Sequence, residues 1–126
     1  MNIPIFTLCE FAQTINGKTN IIGTFNRIAP PSFPFVMPDI YVVVKLSLLQ
    51  DIDDVVSITL REKGGPAIIS TGEQPLKVKK VNDRETIHDF VLRINQVPFQ
   101  KPGEYEVVFR IGKEEYTTNL YVDEAK

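Results

Sequence analysis

The sequence predicts an all-β protein: an antiparallel, immunoglobulin-like sandwich of two sheets with about 7–9 strands, a small barrel being the alternative closure of the same strands. Three observations carry that expectation. Val, Ile and Thr supply 36 of the 126 residues whereas Ala and Leu supply 12, and β-branched side chains, stiff at χ1, pack best on a pleated surface. Apolar residues recur at every second position along much of the chain, the period at which a strand presents one face. Seven glycines and nine prolines punctuate those runs as turn formers. No stretch has a convincing helical period, although a short turn at Asp51-Val55 or Asp83-Thr86 is compatible with the residues there.

Taken in order, Asn16-Gly17 joins Ile3-Gln13 to Thr19-Ile28, because both turn residues tolerate the positive φ of a type I′ turn. That turn sets Leu8 opposite Phe25 and Ala12 opposite Ile21, with Glu10 between them opposite Gly23. Both faces of this hairpin are partly apolar, so alternation does not assign its inward side. Ala29-Pro38 holds four of the nine prolines and reads as a crossover. Ile40-Leu49 places Ile40, Val42, Val44, Leu46 and Leu48 on one face, and Val56, Ile58 and Leu60 repeat the pattern. A loop at Gln50-Asp54 is suited to join these two runs as a hairpin. Shorter strands are expected at Ala67-Thr71 and Leu76-Val81, and a longer one at Thr86-Val97 with His88, Phe90, Leu92 and Ile94 on one side. Finally, a two-residue turn at Gly112-Lys113 pairs Phe109 with Tyr116, Val107 with Thr118 and Tyr105 with Leu120. The same register sets Arg110 opposite Glu115 on the other face, so one register satisfies both.

Bulk properties narrow the function. A chain of 126 residues fits one domain, 1–126, which at this size buries roughly two-thirds of its unfolded surface. Its 14 basic and 16 acidic residues leave a net charge of -2 with the basic residues scattered, so no nucleic acid partner is expected. Cys9 is the lone cysteine and no internal disulfide can form. The first residues lack the basic start and unbroken apolar core of a signal peptide, and no apolar run approaches the ~20 residues of a membrane helix. A cytoplasmic protein without a membrane partner is the expectation.

The candidate sites are few, and each has a plain structural reading beside the functional one. Phe33, Phe35 and Met37 in the proline-rich crossover either cap one end of the sandwich or form an apolar patch for a partner. Asp51, Asp53 and Asp54 are suited to calcium only if a second acidic loop converges, with Asp83 and Glu85 the candidates, since calcium takes about 6–8 oxygens; aspartate is also an ordinary turn residue. Glu10 sits among apolar neighbours, where a structural salt bridge to Arg27 is the leading reading and a solvent-facing carboxylate the alternative. His88 reads as a core-edge residue, because triads and zinc sites need more than one such group. Cys9 reads as a small buried apolar side chain. Gly64-Gly65 lacks the Lys-Ser/Thr of a phosphate loop. Lys77, Lys79 and Lys80 read as guards of a sheet edge.

Two stretches carry resemblances. The run Asn95-Gln-Val-Pro-Phe-Gln-Lys-Pro-Gly-Glu-Tyr-Glu-Val is similar to the strand-loop-strand of immunoglobulin-like modules, in which a Pro-Gly-x-Tyr turn opens a strand and the tyrosine, here Tyr105, hydrogen-bonds back across the corner. The pattern Cys9-Glu10-Phe11, then Asn16-Gly17-Lys18, then Asn20-Ile21-Ile22-Gly23-Thr24-Phe25 resembles a bacterial and phage family of single-domain proteins without assigned function. That resemblance implies a cytosolic β-sandwich and supplies no catalytic residues.

The expected function is therefore a non-enzymatic module that binds a protein partner or a second copy of itself, with no cofactor. A calcium-dependent, C2-like binder using the Asp51-Asp54 loop is the alternative. An enzyme would need two acids converging in one cleft, with Glu10 or the loop carboxylates as the source.

Overall fold

The computed structural model describes residues 2–81 and 84–125, and these contain no helix. Ten strands form: β1 (Asn2–Ile15), β2 (Lys18–Phe25), β3 (Arg27–Ile28), β4 (Phe35–Leu48), β5 (Ile52–Glu62), β6 (Ala67–Ser70), β7 (Gln74–Val78), β8 (Thr86–Phe99), β9 (Gly103–Ile111) and β10 (Glu114–Val122). One sheet has four strands in the order β2-β1-β4-β8. The other has six, in the order β3-β10-β9-β5-β6 with β7 also paired to β5. The two sheets pack as a sandwich and do not close into a barrel. The count exceeds the expected seven to nine because Thr19-Ile28 divides at Asn26: β2 stays in the first sheet, while β3 crosses to the second and pairs with β10. That pairing is parallel, the one departure from antiparallel order among the described strands.

Inward side chains of both layers make a single core, which includes Leu8, Ile40, Val42, Val44, Leu46 and Leu48 from the first sheet and Val56, Ile58, Leu60, Val107, Phe109 and Leu120 from the second. Phe109 lies at the centre, edge-on to Phe6 at 6.3 Å and tilted against Phe90 at 5.9 Å, so one ring touches two strands of the facing sheet. The even-numbered faces of β4 and β5 do meet, but across the sandwich and not in one sheet. β4 pairs with β1 and β8, whereas β5 pairs with β9. Residues 49–51 carry the chain from one layer to the other, which corrects the expected hairpin at Gln50-Asp54.

The terminal hairpins keep their expected registers. Leu8 faces Phe25 and Ala12 faces Ile21 around a turn in which Asn16 and Gly17 both have positive φ. Phe109 faces Tyr116, Val107 faces Thr118, Tyr105 faces Leu120, and Arg110 meets Glu115 in an ion pair on the outer side.

In β4 and β8 the alternation reverses once. Gln96 adopts φ +51, and it stands where Pro38 interrupts the opposing strand, between the pairs Met37–Val97 and Asp39–Asn95. Inward residues are even on one side of this irregularity (Ile40, Val42; Leu92, Ile94) and odd on the other (Phe35, Met37; Val97, Phe99). A left-handed residue shifts side-chain phase without breaking the pairing.

Candidate functional site

The β1–β2 hairpin supplies the most distinctive surface. β1 pairs with β4 only from Asn2 to Cys9, while its pairing with β2 runs on to the turn. At Glu10 the ladder is interrupted opposite Gly23, whose φ is +68 and whose missing side chain makes room for Glu10: a Cβ there would lie 2.9 Å from the Glu10 Cδ. Beyond this point the hairpin, hereafter the arm, leaves the sheet plane. Thr19 Oγ1 donates a 2.5 Å hydrogen bond to Asp89 Oδ2 on β8, the opposite edge of the sheet. Strands in plane sit about 4.8 Å apart, so a contact between the first and fourth strand requires the arm to fold across the outer face of β1 and β4.

Packing beneath the arm agrees with that geometry. Cys9, Ala12 and Val43 form a second buried cluster, against which Ile21, Tyr41 and Val91 pack. Ala12 and Ile21 are cross-strand partners on the underside of the arm, as are Thr14 and Thr19, whose hydroxyls lie 3.1 Å apart. Asp89 anchors the tip. Its Oδ1 has no well-directed hydrogen-bond donor, but Lys45 Nζ lies 2.8 Å away and meets it as a charge. Burial pushes the Asp89 carboxyl up, while the Lys45 ammonium and the Thr19 hydroxyl pull it down further, for a net lowering. Cys9 is fully buried, and that burial raises its thiol against an opposing backbone hydrogen bond at Phe11.

The upper side of the arm is apolar and open. Phe11 and Ile22 are cross-strand partners, and Ile15 follows two alternations along. Their exposures are 39%, 59% and 46%. Phe11 is steadied by an edge contact with Tyr41 at 5.3 Å, so the row starts from a fixed ring.

The residues singled out in the sequence are placed as follows. Phe33, Phe35 and Met37 are half-buried and packed against the core, the arrangement of a cap, and Phe35 and Met37 lie in β4 and not in a loop. The phase reversal at Gln96 turns them inward and leaves Val36 as the exposed apolar residue of that stretch. Glu10 is exposed, and the expected bridge to Arg27 does not form: Arg27 pairs with Asp123 at 2.5 Å and lies over the Tyr121 ring at 5.0 Å. Its position in β3, beyond the sheet change, explains the switch of partner. His88 is half-buried opposite Leu46.

Asp51 accepts the Lys80 N–H at 2.7 Å, Asp54 accepts the Val55 N–H at 2.8 Å, and Asp53 stands opposite Lys77 in the β5–β7 register. These aspartates and Gly112-Glu114 border a surface concavity of about 590 Å³. Among the described residues no three His, Cys, Asp or Glu side chains are arranged to hold a metal ion. Glu85 is exposed and Asp83 lies outside the described residues. Tyr105 donates a 2.6 Å hydrogen bond to the Lys101 carbonyl, four residues back along the chain. Lys77 lies in the edge strand β7, with Lys79 and Lys80 just beyond it.

Sequence reasoning missed Thr19, Asp89 and the Phe11-Ile15-Ile22 row. The available signal was that both faces of the first hairpin are apolar, which one buried sheet face does not require.

Layer order, register and the folded-over arm together define an all-β, two-sheet sandwich protein. The chain belongs to the family of unknown function DUF6941, which it matches over residues 4–123. No curated protein matches it. No helix among the described residues is long and apolar enough to cross a membrane.

Proposed function

We propose that this protein is a non-enzymatic interaction module, working in the cytosol on an immunoglobulin-like scaffold, that contacts another protein through the arm. The carrying observation is the exposure of three apolar side chains, Phe11, Ile15 and Ile22, on one face of a strap docked against the outer side of the sheet. Apolar residues scattered singly need no explanation, but Phe11 and Ile22 stand side by side as a cross-strand pair, with Ile15 further along the same face of the ribbon, and together they offer apolar area suited to burial by a partner. Between them on the same side lies the polar pair Gln13–Asn20, and Lys18 stands beside Ile15, so a partner would meet hydrogen-bonding groups as well as apolar ones.

Immobilised wild-type protein and the double variant Phe11→Ser/Ile22→Ser, compared at matched melting temperature, test this reading. The wild type is expected to retain a protein that the variant releases. Identical retention by both, or none by the wild type, would remove it.

A further inference from the structure

The molecule has several sheet edges, and they are not equally defended. The six-stranded sheet ends on one side at β3, only two residues long, and on the other at β6 and β7. β7 carries Pro75 and Lys77, and Lys79 and Lys80 follow it. Lysine and proline are the usual devices against unwanted strand pairing. In the four-stranded sheet β2 is interrupted by Gly23 at φ +68, and its far half rides on the arm. The remaining edge, β8, has neither lysine nor proline from Thr86 to Asn95, and the arm reaches it only at Asp89 on the outer face. It runs for 14 residues, contains no lysine, and pairs only with β4 among the described strands. Its irregular positions, Gln96 and Pro98, come late, which leaves a straight stretch from Thr86 to Asn95.

We infer that β8 is a self-association edge: two copies pair their β8 strands antiparallel about Val91, joining their four-stranded sheets into one continuous sheet. This rests on the interaction-module reading and names a second copy of this chain as a partner. The register follows from charge. Centred on Val91, the pairing sets Asp89 opposite Arg93 of the second copy, twice by symmetry, and Ile87 opposite Asn95. Within each chain Asp89 already meets Lys45 at 2.8 Å, and Arg93 meets Asp39 at 2.8 Å. Across the seam the charges then alternate: Lys45, Asp89, Arg93 of the second copy, Asp39 of the second copy. Centring the pair on Asp89 or on Arg93 would instead oppose like charges, which destabilises a cross-strand pair. A shift of one residue would put Asp89 or Arg93 opposite Val91. The two-fold at Val91 also lies at the middle of the straight stretch, so the overlap of regular strand is near its maximum there.

Sedimentation from low to high micromolar concentration is expected to show a reversible dimer. Arg93→Glu, at a side chain 55% exposed, is expected to weaken it by at least about tenfold, because two attractive pairs become repulsive, whereas Arg93→Lys retains it, and so does Asp39→Asn, which removes the Arg93 partner within the chain and leaves the seam pairs intact. Register is read by mixing Ile87→Cys with Asn95→Cys under oxidation. The mixture is expected to give a cross-linked dimer that neither variant forms alone, and buried Cys9 does not compete. A monomer at every concentration with no cross-link would overturn the β8 pairing while leaving the arm to its own retention experiment. A dimer indifferent to Arg93→Glu, or one in which Ile87→Cys cross-links by itself, would overturn it as well.

Discussion

Tyr105 joins two kinds of stabilisation in one side chain. Its ring stands edge-on to Phe99 at 5.2 Å inside the core, and its hydroxyl satisfies the Lys101 carbonyl at the corner before β9. Tyr105→Phe keeps the ring and orphans the carbonyl, so a loss of about 0.5–1.5 kcal/mol is expected in urea unfolding, with an unchanged slope. Asp89 is the more pH-sensitive residue. Its carboxyl is lowered from the ordinary 3.8 despite burial, by Lys45 and Thr19. A carboxyl depressed on folding adds stability above its unfolded value and loses it as pH falls through the folded one. Wild-type stability should therefore fall more steeply than that of Asp89→Asn as pH drops below 3.8. At neutral pH the same variant should be less stable by about 1.5–3 kcal/mol, the usual worth of hydrogen bonds to a charged group. Parallel acid titrations of the two proteins, followed by thermal melts, decide the matter.

At the scale of elements, the arm is a strand pair that meets its own sheet through Ala12, Ile21, the Phe11–Tyr41 ring contact and the Thr19 hydroxyl. Segments with few buried contacts open at a lower free energy than the whole fold. Cys9 beneath the arm reports that opening, because its thiol is fully buried when the arm is down. Thr19→Val with Ile21→Ala is expected to raise the rate of Cys9 labelling at least about tenfold without a matching loss of global stability. Labelling that follows global unfolding in both proteins, with the same urea dependence, would show that the arm does not open by itself. The β9–β10 hairpin was readable residue by residue, because a two-residue turn admits one register that satisfies both faces. The β4–β5 pair was misread for an equally physical reason. Two runs that share an apolar face are neighbours either within a sheet or across a sandwich, and alternation is the same for both. The phase reversal at Pro38 and Gln96 is written in the sequence as a change of parity, from Phe35 and Met37 to Ile40 and Val42 and from Ile94 to Val97, but only the left-handed backbone at Gln96 shows that the strands run on through it.

Over the whole molecule, stability depends on the seam between sheets. Phe109→Ala empties the space between Phe6 and Phe90, and a loss of about 3–5 kcal/mol is expected from chemical unfolding, against almost none for Ile22→Ala on the open side of the arm. With Asp51 and Asp54 already capping backbone N–H groups, millimolar calcium is expected to leave the melting temperature unchanged, and a clear upward shift would restore the C2-like alternative. The sequence by itself determined the all-β class and the two terminal hairpins with their registers. Those features are local: side-chain period, turn residues and short-range pairing specify them before distant strands meet. Tertiary structure alone decided the division of strands between layers, the inward turn of Phe33, Phe35 and Met37, the choice of Asp123 as partner for Arg27, and the folding of the arm onto Asp89. Each of those depends on which distant surfaces come together, and an alternating strand carries the same pattern whichever surface covers it.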